Sequence, residues 1–479
     1  MSARPDLSRR ACGVLLHPTS LPSARGGALG PRAREFADFL ADCGQTWWQM
    51  LPVCPPDETG SPYASPSGFA GDPALAGTPR ALREEQARLK DGPKEERDDY
   101  ALFREREKAW LEDHALFFAL KAAHKGRPWT AWAADLRRRE PESLARASRE
   151  LRVEVERHAF AQWAFQRRWS ALRRHAASRG VGLIGDLPIY PRHDSADVWA
   201  RQDLFQLDAD GRPLAVAGVP PDYFSADGQL WGNPLYAWER HLQTGFDWWL
   251  ARLRTVAERF DAVRLDHFIG FRRYWEVPAG AENARGGRWV EAPGDALFEA
   301  VTRALPDLGI LAEDLGSVTP EVHALRDRFG FPGMRLGQFS FGSGLEDRPS
   351  RWPEACVAYT GTHDNDTTRG WYEDDGSANN LRPAQAVARE RGAFHEEAGG
   401  APADPAWAMV RLVWRSPARL ALAPMQDLLS LPGSARMNRP GTTTGNWSWR
   451  MDPGALTASL AGRLGLLTGA SGRAREGAC

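Results

Sequence analysis

The sequence predicts an α/β fold, a (β/α)8 TIM barrel, on three observations. Eight short apolar runs are spaced along the 479 residues, and most are followed by a stretch of helical period. Several of these runs end in a carboxylate and a loop, which places Asp186, Asp266, Glu313 and Asp364 at strand ends. The last observation is the alternation in Asp261-Ala-Val-Arg-Leu-Asp-His-Phe-Ile-Gly270. There Val263 and Leu265 share one face of an extended chain, and Arg264 and Asp266 share the other. A doubly wound sheet would want a glycine-rich turn tight against the first strand. Gly26-Gly27-Ala-Leu-Gly30 follows a proline loop instead.

In chain order, residues 11–16 form the first strand, closed by His17-Pro-Thr-Ser-Leu-Pro22. Phe36, Phe39 and Leu40 give residues 31–43 a helical side, and residues 46–53 read as the second strand. Charge then becomes dense and Gly and Pro thin out, which marks a helical insertion over residues 77–178. Its aromatics Tyr100, Phe103, Trp110 and Phe117 recur at helical spacing and read as packing, as do Trp163, Phe165 and Trp169. The third strand, 181–190, leads into a long loop subdomain at the mouth, residues 191–240, with no helical or strand period. Residues 246–260 are helical and precede the fourth strand. The remaining strands fall at 308–315, 333–341, 356–362 and 418–429, with helices at 292–305, 319–329, 384–414 and 456–467. The last dozen residues are small or charged and are expected to fray. The whole chain, 1–479, thus reads as one barrel domain carrying these two insertions.

Composition narrows the partners. A net charge of −1 and a pI near 6.9 favour neither nucleic acid nor an anionic membrane surface. No apolar segment approaches the roughly 18 residues that a membrane span requires. The five cysteines (Cys12, Cys43, Cys54, Cys356, Cys479) show no disulfide or metal-ligand spacing, which points to a reducing, cytoplasmic compartment and a soluble protein. Tryptophan is abundant, at 20 copies, and indole faces suit the apolar C–H faces of sugars.

Carboxylates converging on a barrel mouth fit three chemistries. A divalent-metal site would want more ligands and a phosphate loop. Buried pairing with Arg264 would be purely structural. Glycosidic-bond chemistry needs one carboxylate nucleophile and one carboxylic acid. Asp266 shares its face with the Arg264 cation, which suits a nucleophile. Glu313 shares a face with Leu311 and precedes Asp314, and apolar surroundings with like charge raise a carboxyl pKa, as a general acid requires.

The chain resembles the amylomaltases, 4-α-glucanotransferases (disproportionating enzymes) related to the α-amylase clan. The resemblance is carried nearly end to end by Ser61-Pro62-Tyr63, Gly185-Asp-Leu-Pro-Ile-Tyr190, Pro220-Pro-Asp-Tyr-Phe224, Gly228-Gln-Leu-Trp-Gly-Asn-Pro-Leu-Tyr236, Arg264-Leu-Asp-His-Phe268, Ala312-Glu-Asp-Leu-Gly316, Thr360-Gly-Thr-His-Asp-Asn365 and Gly445-Asn-Trp-Ser-Trp-Arg450. It implies transfer of α-1,4-glucan segments between maltooligosaccharides or amylose, with no cofactor and no metal. It further implies Asp266 as nucleophile, Glu313 as general acid/base and Asp364 as the group that binds the distorted sugar ring. Ser61, Tyr63, Asp186, Trp231, Arg264, His267 and His363 fall on positions that bind substrate in that family, with Asn438 and Asn446 as weaker candidates. Tyr223, Phe224 and Trp231 are expected to exclude water from the intermediate.

Two stretches depart from the family pattern. Gly27-Ala-Leu-Gly30 lacks an acid, and Glu58-Thr-Gly60 lacks an aromatic before Ser61, so acceptor preference is expected to differ. A hydrolase with the same residues, a non-enzymatic glucan-binding protein and a metal-dependent barrel enzyme are the competing readings.

Overall fold

The computed structural model describes residues 6–22, 27–221, 227–342, 344–375 and 384–474. In chain order the first six strands are β1 (Ala11–Leu15), β2 (Trp47–Gln49), β3 (Gly182–Leu187), β4 (Ala215–Val219), β5 (Gln229–Pro234) and β6 (Ala262–Leu265). They are followed by β7 (Arg273–Pro278), β8 (Arg288–Glu291), β9 (Gly309–Ala312), β10 (Gly333–Leu336), β11 (Cys356–Tyr359) and β12 (Leu420–Pro424).

Eight of these strands make one parallel sheet in the order β10-β11-β12-β1-β2-β3-β6-β9. The seam between β9 and β10 is bridged by the Ala312 N–H, which donates to Pro332 O at 3.0 Å. The Asp314 carboxylate crosses the same seam and accepts from Met334 N–H at 2.7 Å. The sheet is therefore the barrel expected from the apolar runs.

Alternation along the strands builds two apolar layers. Trp47, Ile184, Ala262, Leu311, Met334, Val357 and Leu420 fill the lumen. Their sequence neighbours Trp48, Leu183, Val263 and Ile310 face outward into the helix-covered core. Close packing explains Gly13, where a Cβ would lie 2.2 Å from the Trp47 carbonyl oxygen.

Between β2 and β3 the chain forms helices that include Lys94–Arg106, Lys108–Ala123 and Arg152–Ser178. Phe103, Phe117, Trp163, Phe165 and Trp169 are buried in them, which is the packing role expected of that stripe.

Two expectations fail. The stretch after β3 is not without strands. Its β4 and β5 join β7 and β8 in a four-stranded antiparallel sheet ordered β5-β4-β7-β8. In that sheet Ala215 pairs with Pro278, far away in sequence, so no local period announces it. Nor is the described part of the C-terminus frayed. Thr468 and Arg473 are buried, and Arg473 donates to the carbonyls of Ala11, Trp414, Ser416, Ala418 and Arg419 at 2.7–3.0 Å. This guanidinium ties the chain end to the starts of β1 and β12, on the face opposite the mouth. Burial lowers its pKa to about 10, so it remains charged at neutral pH. Arg473→Ala is expected to cost about 3 kcal/mol of stability, read as a lower denaturant midpoint. An unchanged midpoint would show that the tie is idle.

Candidate active site

The site is assembled where adjacent parallel strands end. Asp266 and Glu313 each extend their strand by one residue. The Asp266 N–H donates to Leu187 O, and the Glu313 N–H donates to Leu265 O, both at 3.1 Å. Because Leu265 is in register with Ala312, the two acids that follow them are neighbours.

Arg264, buried in the lumen, organises the first acid. Its Nη1 donates to both oxygens of Asp186 at 2.8 and 2.9 Å and to Asp266 Oδ1 at 2.8 Å. The Asp186 side chain is 0% exposed, whereas that of Asp266 is 28% exposed. Asp186 also accepts from Tyr63 Oη at 2.8 Å. Arg264 therefore links one inward, fully engaged carboxylate to one that reaches the cleft. Arg264→Met would leave Asp186 as a buried, under-compensated charge. An expected loss of about 3–5 kcal/mol follows, measurable by denaturant unfolding. A loss below about 1 kcal/mol would mean that the pair behaves like a surface bridge.

Glu313 is held differently. Its Oε2 accepts the His267 N–H at 2.6 Å, and its backbone carbonyl accepts the Phe268 N–H at 3.0 Å. His267 adopts a left-handed backbone (φ 51°), a conformation that few non-glycine residues take. Here it aims the amide at the carboxylate. Burial, reinforced by Asp266 and Asp314 and opposed by Arg264 and the His267 N–H, pushes the Glu313 carboxyl up to about 8. Burial also draws the His267 imidazole down to about 4, so that it is neutral at pH 7.

Asp364 lies in the loop after β11. Asn438 Nδ2 donates to its Oδ1 at 2.6 Å, and Arg436 donates to its backbone carbonyl. His363 Nε2 is 3.3 Å from the same Oδ1. The His363 ring stacks on Tyr63 with centroids 4.9 Å apart, and Trp447 tilts against Tyr63 at 5.8 Å. Trp231, on β5, stands edge-on to His267 at 4.7 Å and is 37% exposed. Ser61 caps the short turn Pro62–Ala64 by accepting the Tyr63 N–H at 3.3 Å.

The predicted set is thus brought into two connected groups. Tyr63 joins Asp186 and Arg264 to His363 and Asp364, while His267 joins Glu313 to Trp231. Asn446 stays in its own exposed loop, accepting the Arg439 N–H at 2.9 Å. Glu58, where an aromatic is expected, pairs with Arg192 at 2.5 and 2.6 Å. Tyr223 and Phe224 lie outside the described residues. Arg436 was not foreseen, since a lone arginine among charged and small residues carries no pattern.

A closed parallel barrel with a hydrogen-bonded acid and an arginine-paired carboxylate at adjacent strand ends is the arrangement of an enzyme that works on glycosidic bonds. Comparison with known proteins narrows the class. The sequence pattern of one family, described as 4-alpha-glucanotransferase, matches residues 16–91 and 78–457. A 4-alpha-glucanotransferase of Thermus thermophilus is 46% identical, with 97% of this chain and 99% of that protein covered. One from Synechocystis sp. is 42% identical over 98% of this chain and 99% of the relative. An amylomaltase from Streptococcus agalactiae, solved with acarbose, superposes at TM-score 0.90 and 34% identity, over 98% of this chain and 100% of its own. The chain belongs to the 4-α-glucanotransferase family.

Proposed function

We propose that this chain transfers α-1,4-glucan segments between maltooligosaccharides by a retaining double displacement. One observation carries the reading: two carboxylates follow paired strand residues and are held in opposite surroundings, Asp266 at 2.8 Å from the Arg264 guanidinium and Glu313 on the His267 amide in a setting whose burial raises its pKa. Glu313 donates its proton to the glycosidic oxygen as Asp266 attacks the anomeric carbon, and the reducing-end fragment leaves. Glu313, now a base, deprotonates a sugar 4-hydroxyl, which displaces Asp266 and restores the α configuration. Asp364, with His363 and Arg264, binds the distorted ring, so its contribution falls in the transition state. Trp231 and His267 wall the Glu313 side of the cleft. Tyr63 and Ser61 set the opposite wall, with Asp186 behind them holding Tyr63 and Arg264 in place. No cofactor or metal enters these steps.

Maltooligosaccharides, amylose or related α-1,4-glucans serve as donor and acceptor, and the reaction is placed in the cytoplasm. No helix among the described residues is long and apolar enough to cross a membrane. Residues 77–178 and 191–240 are assigned as insertions into one catalytic domain spanning 1–479, the second roofing the mouth.

Maltotriose tests the reading. A ladder of longer and shorter oligomers is expected. Accumulation of glucose and maltose alone would make the protein a hydrolase, and binding without turnover would make it a glucan-binding protein.

A further inference from the structure

Asp427 is 1% exposed and follows β12 in the short helix Met425–Leu428. Its Oδ1 accepts the Thr368 N–H at 2.7 Å, and its Oδ2 accepts the Thr368 hydroxyl at 2.7 Å and the Thr360 hydroxyl as well. Thr360 comes directly after β11, and Thr368 opens the helix Thr368–Glu373. Both threonines are fully buried. The residues between them are the loop that presents His363 and Asp364. One carboxylate, carried in the short helix that continues the neighbouring barrel strand, therefore pins both feet of that loop.

The rest of the loop is held from other sides. Gln338 Nε2 donates to Asp366 O at 2.8 Å, and the Asn438 N–H donates to His363 O at 3.0 Å. Gln338 also reaches the first foot, its backbone N–H donating to Thr360 O at 3.3 Å, but among the described residues Asp427 is the side chain that hydrogen-bonds both Thr360 and Thr368. A carboxylate whose three hydrogen-bond donors are all uncharged is costly to bury, and an apolar replacement of Asp427 together with the Thr360 and Thr368 hydroxyls would be cheaper for packing alone. Its geometry is accounted for by placement of the loop.

From this we infer that Asp427 is a positioning residue for Asp364, setting where that carboxylate meets the distorted sugar ring. The inference rests on the role given to Asp364 above. A misplacement on the scale of 1 Å at a group that acts in the transition state lowers turnover by up to about 100-fold without weakening ground-state binding.

The test is a double-mutant cycle on the full-length protein, assayed with maltotriose and with a 4-nitrophenyl maltooligosaccharide. Asp427→Asn cannot accept all three hydrogen bonds and is expected to lower kcat by about 30-fold with KM within twofold. In an Asp364→Ala background the same change is expected to cost less than twofold, because the group it positions is gone. Thr360→Val, which removes one of the donors and keeps the volume, should repeat the pattern at smaller amplitude. It serves also if Asp427→Asn fails to fold. Equal losses in the two backgrounds, or a rise in KM at constant kcat, would overturn the inference alone. Full activity of Asp364→Ala would overturn the role of Asp364, and this inference with it.

Discussion

Asp266→Asn is expected to lower kcat for maltotriose transfer by at least about 10⁴-fold while leaving KM within a few-fold. The asparagine oxygen can still accept from Arg264, and Arg264 keeps both of its hydrogen bonds to Asp186, so the fold has no reason to loosen. What is lost is the anionic oxygen that bonds to the anomeric carbon. No covalent glycosyl-enzyme should then form. Mass spectrometry after mixing with a donor that has an activated leaving group checks this directly. The parent protein should gain the mass of the glycosyl unit on a peptide containing Asp266, and the variant should gain none. Transfer at near-parental rate, or a labelled peptide lacking Asp266, would remove it as nucleophile. A matching drop in thermal stability would instead assign the loss to structure, which is why unfolding has to be measured alongside.

The chemistry was legible because the barrel imposes a two-residue period on its strands. Val263 and Leu265 are apolar since they face helices, and Arg264 is charged since it faces the lumen; the sequence therefore reports which side each residue takes. The same logic placed Leu311 beneath Glu313. Strand ends were less well marked. The run 418–429 reads as one strand, yet the chain turns at Pro424 into Met425–Leu428, and this turn is what brings Asp427 behind the loop of Asp364. Apolar content alone does not distinguish a strand from the buried short helix that continues it.

Partners distant in sequence were not legible. The sheet of β4, β5, β7 and β8 is held by pairings such as Trp275 with Gly218, and the alanines and glycine of β4 carry little strand propensity of their own. Its stability comes from registry with segments beyond the catalytic strand. Arg473 is similar: five main-chain carbonyls from other elements make its site, and main-chain groups leave no trace in the sequence. Asn438 illustrates the intermediate case, since its family position suggested a site role and only the fold reveals that its amide reaches the Asp364 carboxylate.

Glu313→Gln separates the two halves of the catalytic cycle, and its signature is a change of pH profile as well as of rate. With maltooligosaccharide donors kcat/KM is expected to fall by about 10³- to 10⁴-fold, the range of a lost general acid. The sign of the pH effect follows from the raised carboxyl. The acid works only while protonated, so kcat/KM of the parent should be full below roughly pH 7 and decline as pH rises through about 8. In the glutamine variant that alkaline limb should vanish, since an amide does not titrate there. A glycosyl fluoride supplies the complementary test, because fluoride departs without a proton. Asp266 can still attack it in the variant, releasing fluoride to the extent of one equivalent per site. The reaction should then stall, because the acceptor hydroxyl has lost its base. Added azide, a nucleophile that needs no deprotonation, should restore turnover. If the variant kept the limb near 8, the titrating group would be another residue. If it turned over the fluoride continuously with a sugar acceptor, Glu313 would not be the base of the second step.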